Sequence, residues 1–240
     1  MNKHFLGLVI LALVLAISFM TLNVIAAVPN GANWTYFNTS TAQADTTTAR
    51  EAYAGNVTEL TMTTYATTQA WQGYFGNVSG TIQLADSSDN ILYNWSAASP
   101  TGEIVAVNKT GVNWGGLVCY NFSDYNATDA LEVGLGINGS DTDGINETFT
   151  ATTHTAFSLA GASFTAGQCN STSLYNNLSA GTFEEVLLWE GKSLVFTSLL
   201  KNNVIGFDAR THDFEMLVIE DGHGAEAANS DSYYFYIELQ

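Results

Sequence analysis

Twelve Asn-x-Ser/Thr sequons lie between Asn33 and Asn177, and each obliges its asparagine to reach solvent, because an attached glycan is bulky and polar. The acceptors are Asn33, Asn38, Asn56, Asn77, Asn94, Asn108, Asn121, Asn126, Asn138, Asn146, Asn170 and Asn177. Ser and Thr make up roughly a fifth of the residues, so the 19 asparagines beyond residue 27 should form only about four sequons by chance. The excess predicts a glycan-coated surface and outlines the outside of the fold before any strand is assigned. No sequon follows Asn177. The C-terminal part is therefore either the most buried portion of the domain or a face kept bare for a partner.

Residues 1–27 have the layout of a secretory signal peptide. Lys3 supplies positive charge, Leu6 to Phe19 form an apolar run, and Val24-Ile25-Ala26-Ala27 place small residues before Val28-Pro29. Cleavage after Ala26 or Ala27 would leave a secreted, cell-surface chain with no stable membrane span. Two other readings compete. An uncleaved anchor is one, since Phe5 to Ala27 approaches the ~20 residues that cross a bilayer, although Thr21 and Asn23 weaken it. A pilin-type leader cut after Gly7 is the other, against which no Lys or Arg directly precedes that glycine.

The net charge of −17 repels nucleic acid and anionic lipid, and neither is an expected partner. Charged residues are only 12% of the chain, so solubility rests on Thr, Ser, Asn and sugar. The 46% hydrophobic content argues against disorder. Cys119 and Cys169 are the only cysteines, and an exported pair most economically forms one disulfide.

From Pro29 to Tyr53 the chain is rich in Thr, Ala and Asn with few large apolar residues, which predicts an extended arm over residues 28–55. Alternation at Val57 to Thr63 predicts a half-buried strand opening a single domain over residues 56–240. Turn residues Asp86 to Asn90 join two strands into a hairpin over 78–95. Further strands are expected at 102–107, 115–120, 149–152, 156–159, 183–189, 193–200, 204–207, 214–219 and 233–239, with a short helix at 127–133. The segment from Glu220 to Gly224 reads as a hairpin turn between the last two strands, with His212 at the start of the first. Short strands with turn signals every 8–12 residues are the signature of an all-β fold, here a β-sandwich of Ig-like or jelly-roll type.

Few residues suggest chemistry. The run from Asn138 to Glu147 places oxygen ligands at alternate positions around a Gly, the donor chemistry that Ca²⁺ takes, with Asp141, Asp143 and Asn146 as the candidate ligands, while a plain glycosylated turn explains them as well. Asp86 and Asp89 invite the same reading. His154, His212 and His223 would suffice for zinc if they converged, but their spacing predefines no site. Calcium is thus the one cofactor to consider, and none is certain. No nucleophile elbow, phosphate loop or dinucleotide glycine cluster occurs, so the chain is not expected to be an enzyme. Glu184 and Glu185, adjacent on a strand, would point to opposite faces and could not flank one glycosidic bond. Trp34, Trp71, Trp95, Trp114 and Trp189 could stack on sugar or fill a core. Trp34 and Trp95 lie inside sequons and should be near the surface.

Several stretches resemble a family of exported archaeal surface proteins of unknown function, β-rich and N-glycosylated. They are Trp71 to Gly80, Tyr93 to Ser96, Ser99 to Ile104, Thr152 to Thr155, Gly206 to Asp208, Thr211 to Glu215, Glu220 to His223 and Tyr233 to Tyr236. The resemblance implies an archaeal cell exterior and carries no catalytic role. In general design the chain also resembles the glycosylated β-domain subunits of archaeal surface filaments joined by donor strands. The expectation is a self-associating structural protein, a homopolymer subunit of an extracellular filament or coat, with the arm at 28–55 as donor. The alternative is a surface adhesin or carbohydrate-binding module that recognises glycan or a host surface.

Overall fold

Strands built from β-branched and aromatic residues dominate the computed structural model, which describes residues 28–43, 46–96, 100–122, 142–220 and 231–240. The predicted leader, the predicted helix at 127–133 and the predicted turn at 220–224 beyond Glu220 lie outside the described residues.

The central sheet runs in the order β1 (Asn30–Gly31), β15 (Tyr234–Leu239), β5 (Gly102–Val107), β11 (Leu194–Leu199), β10 (Ser179–Trp189) and β6 (Val118–Cys119). β9 (Ser171–Asn176) pairs with the first part of β10, so β6 and β9 share one edge of that long strand. All these pairings are antiparallel. β5, β11 and β10 read as near-continuous apolar runs because layers cover them on both sides. One face presents Ile104, Ala106, Leu187 and Phe196 to β2 (Trp71–Gly76), β14 (Phe214–Ile219) and the short helix α1 (Ile145–Thr148). The other presents Val105, Val107, Val186, Leu188 and Val195 to the hairpin of β7 (Phe157–Leu159) and β8 (Ala162–Phe164). The architecture is all-β and sandwich-like.

The second layer is a two-stranded sheet, β14 with β2. The Glu220 N–H donates to the Ala70 carbonyl at 2.8 Å, next to the register pair Ile219 and Trp71. Hydrogen-bonded pairs alternate along an antiparallel ladder. Residues 72, 74 and 76 therefore bond to β14, while the backbone groups of Trp71, Gly73 and Phe75 point to the outer edge. On β14 the outward residues are capped by side chains of the central sheet: Glu215 O accepts from Ser198 Oγ, and Leu217 N–H donates to Glu185 Oε2, both at 2.8 Å.

Two expectations are corrected here. Val57 to Thr63 form no strand: the described residues from 33 to 69 are exposed and belong to no sheet. Alternation needs a partner to become a strand, and among the described residues none pairs with this stretch. β14 and β15 are not a hairpin either. They sit in different layers, β14 on β2 and β15 on β5. Smaller differences follow. The predicted strand at 115–120 is a 3₁₀ turn (Trp114–Gly116) and the two-residue β6, and 149–152 is reduced to one bridge, Ala151 with Ser171. At 204–207 only β12 (Val204–Ile205) forms, paired with β13 (Thr211–His212).

Candidate functional site

Of the sequon asparagines that are described, Asn33, Asn38, Asn56, Asn77, Asn94, Asn108, Asn121 and Asn177 are exposed. Asn146, in α1, and Asn170 are half-buried, and Asn170 Nδ2 already donates to the Tyr120 carbonyl at 3.1 Å. Asn126 and Asn138 lie outside the described residues. Beyond Asn177, Val186, Leu187, Leu188, Val195, Phe196, Met216 and Val218 are core residues, whereas Leu178, Ile205, Phe207 and Tyr234 are exposed, so of this part β10, β11 and β14 are the buried strands. Asn170 and Asn177 bracket β9, an edge strand.

Cys119 and Cys169 form a disulfide with Cα atoms 5.0 Å apart, joining β6 to the segment that leads into β9. Both ends thus hold the same edge of β10. Buried His154 stands beside it. Its Nε2 accepts from the Cys169 N–H at 2.9 Å, which leaves Nδ1 to donate to the Thr155 carbonyl at 2.7 Å. This is a neutral, fully bonded core histidine.

No three metal-ligating side chains converge among the described residues. Asp141 and His223 lie outside them. Asp143 is occupied structurally: its Oδ2 accepts from Thr68 Oγ1 and its carbonyl from Trp71 Nε1, each at 2.6 Å. Asp86 folds its turn on itself, accepting from the Ser88 and Asn90 backbone N–H groups and from Asn90 Nδ2, which holds its carboxyl below the ordinary value. His212 is buried among Phe75 and Phe207, with Nε2 2.9 Å from Asp208 Oδ1. Burial works to raise the Asp208 carboxyl, but hydrogen bonds from Arg210 and His212 prevail and hold it at about 2. Glu215 closes the same turn by accepting from the Phe207 N–H, while burial pushes its own carboxyl up.

Glu184 and Glu185 do point to opposite faces. Glu184 binds Thr155 and Lys201. Glu185 is fully buried under β14, and burial raises its carboxyl well above the ordinary value. Glu103 faces Glu238 across β5 and β15; burial, then the neighbouring Glu238 charge, push it up to about 8. Two surface hollows, one beside the disulfide and one at Gly80, Pro100, Asn202 and Asp213, gather no reactive set. In the second, Asp213 is spent on the Val78 and Asn203 N–H groups.

What stands out instead is unpartnered apolar surface. Along the arm, Trp34, Tyr36, Phe37, Val57, Leu60 and Met62 are exposed. The hairpin of β3 (Thr81–Ala85) and β4 (Ile91–Ser96) is exposed as well. Its register sets Ile82 opposite Trp95 and Leu84 opposite Tyr93, so these four share one face, with the Tyr93 and Trp95 rings 4.7 Å apart. Gln83 and the sequon residue Asn94 form the opposite, polar face. Trp34 and Trp95 are at the surface, as their sequons require, whereas Trp71, Trp114 and Trp189 are half-buried. The role of β2, whose Gly73 and Gly76 interrupt the usual apolar alternation, was not readable beforehand. Among the described residues no helix is long and apolar enough to cross a membrane. No family model, curated protein or solved structure matches the chain.

Proposed function

We propose that the protein is a secreted, heavily N-glycosylated structural component of an archaeal cell surface, a subunit of an extracellular filament or coat whose copies join by strand addition. The observation that carries this reading is the arm. A domain with a well-packed core on both faces of its sheet also carries a run whose described residues from 33 to 69 belong to no sheet and expose large apolar side chains. So many large apolar side chains left in solvent along one run favour an interaction site. An extended segment supplies main-chain hydrogen bonds to a foreign sheet edge and side chains to alternate pockets. The sequons, the disulfide and the secretory leader fit an oxidising, extracellular setting.

Electron microscopy and light scattering of the native secreted protein test it. Concentration-dependent polymers are expected from the full mature chain. A version beginning at Thr68 should stay folded and monomeric, and polymers from that shortened chain would sink the reading. The Tyr93–Trp95 pair on an uncharged, sequon-free hairpin face favours a second reading, a carbohydrate-binding adhesin that stacks sugar on aromatic rings. Saturable glycan binding by a monomer that never polymerises would select it.

A further inference from the structure

The second layer is narrower than the sheet it covers. β14 packs over β10 and β11, and β2, its only strand partner among the described residues, lies one strand nearer β5. Ring contacts agree: Trp71 meets Phe196 of β11, and Tyr74 meets Phe235 of β15. The next place in this layer, beside β2 and over β5 and β15, holds no strand among the described residues. Tyr74, Phe235 and Ile237, which border it, are only partly buried.

The two edges of this small sheet are finished differently. β14 is closed by Glu185 and Ser198. β2 turns the backbone groups of Trp71, Gly73 and Phe75 to an edge that no strand among the described residues covers, and the Gly73 carbonyl is met by the Gln72 side-chain amide at 3.3 Å. An uncovered edge is a template for another chain unless it is blunted. Neither lysine nor proline blunts this one, and its sequon residue, Asn77, lies beyond its end.

One part of the arm suits this place. Val57 to Tyr65 follows Asn56, the last sequon residue of the arm, so glycans at Asn33, Asn38 and Asn56 fall outside it. Leu60 and Met62, 55% and 82% exposed, are two residues apart and share one side of an extended strand. Residues 28–70 hold Asp45, Glu51 and Glu59 against Arg50, a net −2 of the −17 total, so this segment approaches a second acidic copy with little repulsion. At its root the Thr68 hydroxyl and the Trp71 indole both bind Asp143, and the Ala70 N–H donates to Thr68 Oγ1. Before that clasp Val57 to Tyr65 is exposed and pairs with no strand among the described residues, β2 of its own copy included.

Building on the strand-addition reading, we infer that Val57 to Tyr65 of one copy adds to the outer edge of β2 in a second copy, with Leu60 and Met62 over Tyr74, Phe235 and Ile237. The donor is thus the sequon-free end of the arm, and the stretch from Asn33 to Gly55, beyond β1, is its tether with the sequons at Asn33 and Asn38.

Two variants of the full mature protein test the pairing. Gly73→Pro removes one outward N–H and no bond to β14, a position where a strand accepts proline; a side-chain carbon there meets nothing within 4 Å. Leu60→Asp with Met62→Asp spoils the donor at exposed positions and leaves the fold alone. Each variant should keep the wild-type thermal transition and raise the concentration needed for polymerisation at least tenfold. Mixed together, they should give heterodimers and no longer polymers, because each retains the half that the other lacks. Normal polymers from the donor variant, which cannot have failed to fold, overturn the inference, as do normal polymers from Gly73→Pro. If the chain beginning at Thr68 is still monomeric in that case, strand addition stands, and the donor segment or the acceptor edge, whichever variant still polymerises, is wrongly assigned. Polymers from the Thr68 chain overturn both. With Met62→Cys and Gly73→Cys in differently tagged copies, a disulfide between tags is expected. A disulfide only within one doubly substituted chain would show a fold-back onto its own β2 and overturn the second-copy assignment.

Discussion

β10 with β11 and β3 with β4 are both antiparallel hairpins, yet the first is buried on two faces and the second is exposed on two. Their local chemistry is close: β11 reads Leu-Val-Phe-Thr-Ser-Leu and β4 reads Ile-Leu-Tyr-Asn-Trp-Ser. The difference lies in what is set against them. β10 and β11 have β14 and α1 on one side and the β7–β8 hairpin on the other, whereas an isolated two-stranded ribbon is only marginally stable in water. Strand propensity therefore decides the conformation of both, and tertiary placement alone decides which becomes core. Sequons follow the same division, with Asn94 in β4, none in β11, and in β10 only Ser179, the last residue of the Asn177 sequon.

The most damaging way to probe the contrast is to cut into the buried hairpin. Phe196, 1% exposed and in ring contact with Trp71, Phe149 and Tyr233, should cost about 3–5 kcal/mol when changed to Ala, read from chemical denaturation. A loss under 1 kcal/mol would mean the central sheet is not packed as described. Removing the disulfide by Cys119→Ala with Cys169→Ala should cost roughly 4 kcal/mol, since it closes a loop spanning 50 residues along the edge of β10. Equal stability of the reduced and oxidised protein would refute this.

Acids in the two hairpins should respond to pH in opposite directions. Glu185 of β10, like Glu103 of the neighbouring β5, has a carboxyl raised by burial, so the folded state holds its proton more tightly than the unfolded chain. That contribution is complete below the ordinary value of 4.5 and is lost as pH climbs through about 8 for Glu103. Asp86, in the β3–β4 turn, is shifted down, so its smaller contribution is present above the ordinary value of 3.8 and lost as pH falls through its lowered one. Thermal midpoints should therefore fall from pH 5 to pH 8, and Glu103→Gln should flatten that slope; an unchanged slope would remove Glu103 from the account. The smallest effect belongs to the exposed hairpin. Trp95→Ala should alter monomer stability by no more than about 0.5 kcal/mol, and a larger loss would mean that the β3–β4 face is covered.

Where period-two alternation or an apolar run sits between turn residues, the strands were legible beforehand: β3 and β4 around Asp86 to Asn90, β5, β10, β11, β14 and β15. Val57 to Thr63 obeys the same rule and forms no strand, because alternation states what a strand could bury and says nothing of whether a neighbour exists. β2 and β9 failed in the other direction. Gly73 and Gly76 dilute the signal of one, and Ser171, Thr172 and Ser173 make the other look like a loop, as suits strands at sheet edges. β14 and β15 are neighbours along the chain but belong to different layers, which no local pattern encodes. At the site, surface tryptophans followed from their sequons. The part played by Asp143, holding Thr68 and Trp71, depends on residues more than seventy positions apart and could only be seen in three dimensions.

The clasp at Thr68 also determines how the domain bears tension. A pull on the arm enters at Ala70 and meets β2, which six residue pairs hold to β14. A pull on the other end of the arm meets β1, held to β15 by two pairs only. Under stretching the arm therefore lengthens first at Asn30 and Gly31, and the body keeps its shape until the β2 seam is overcome.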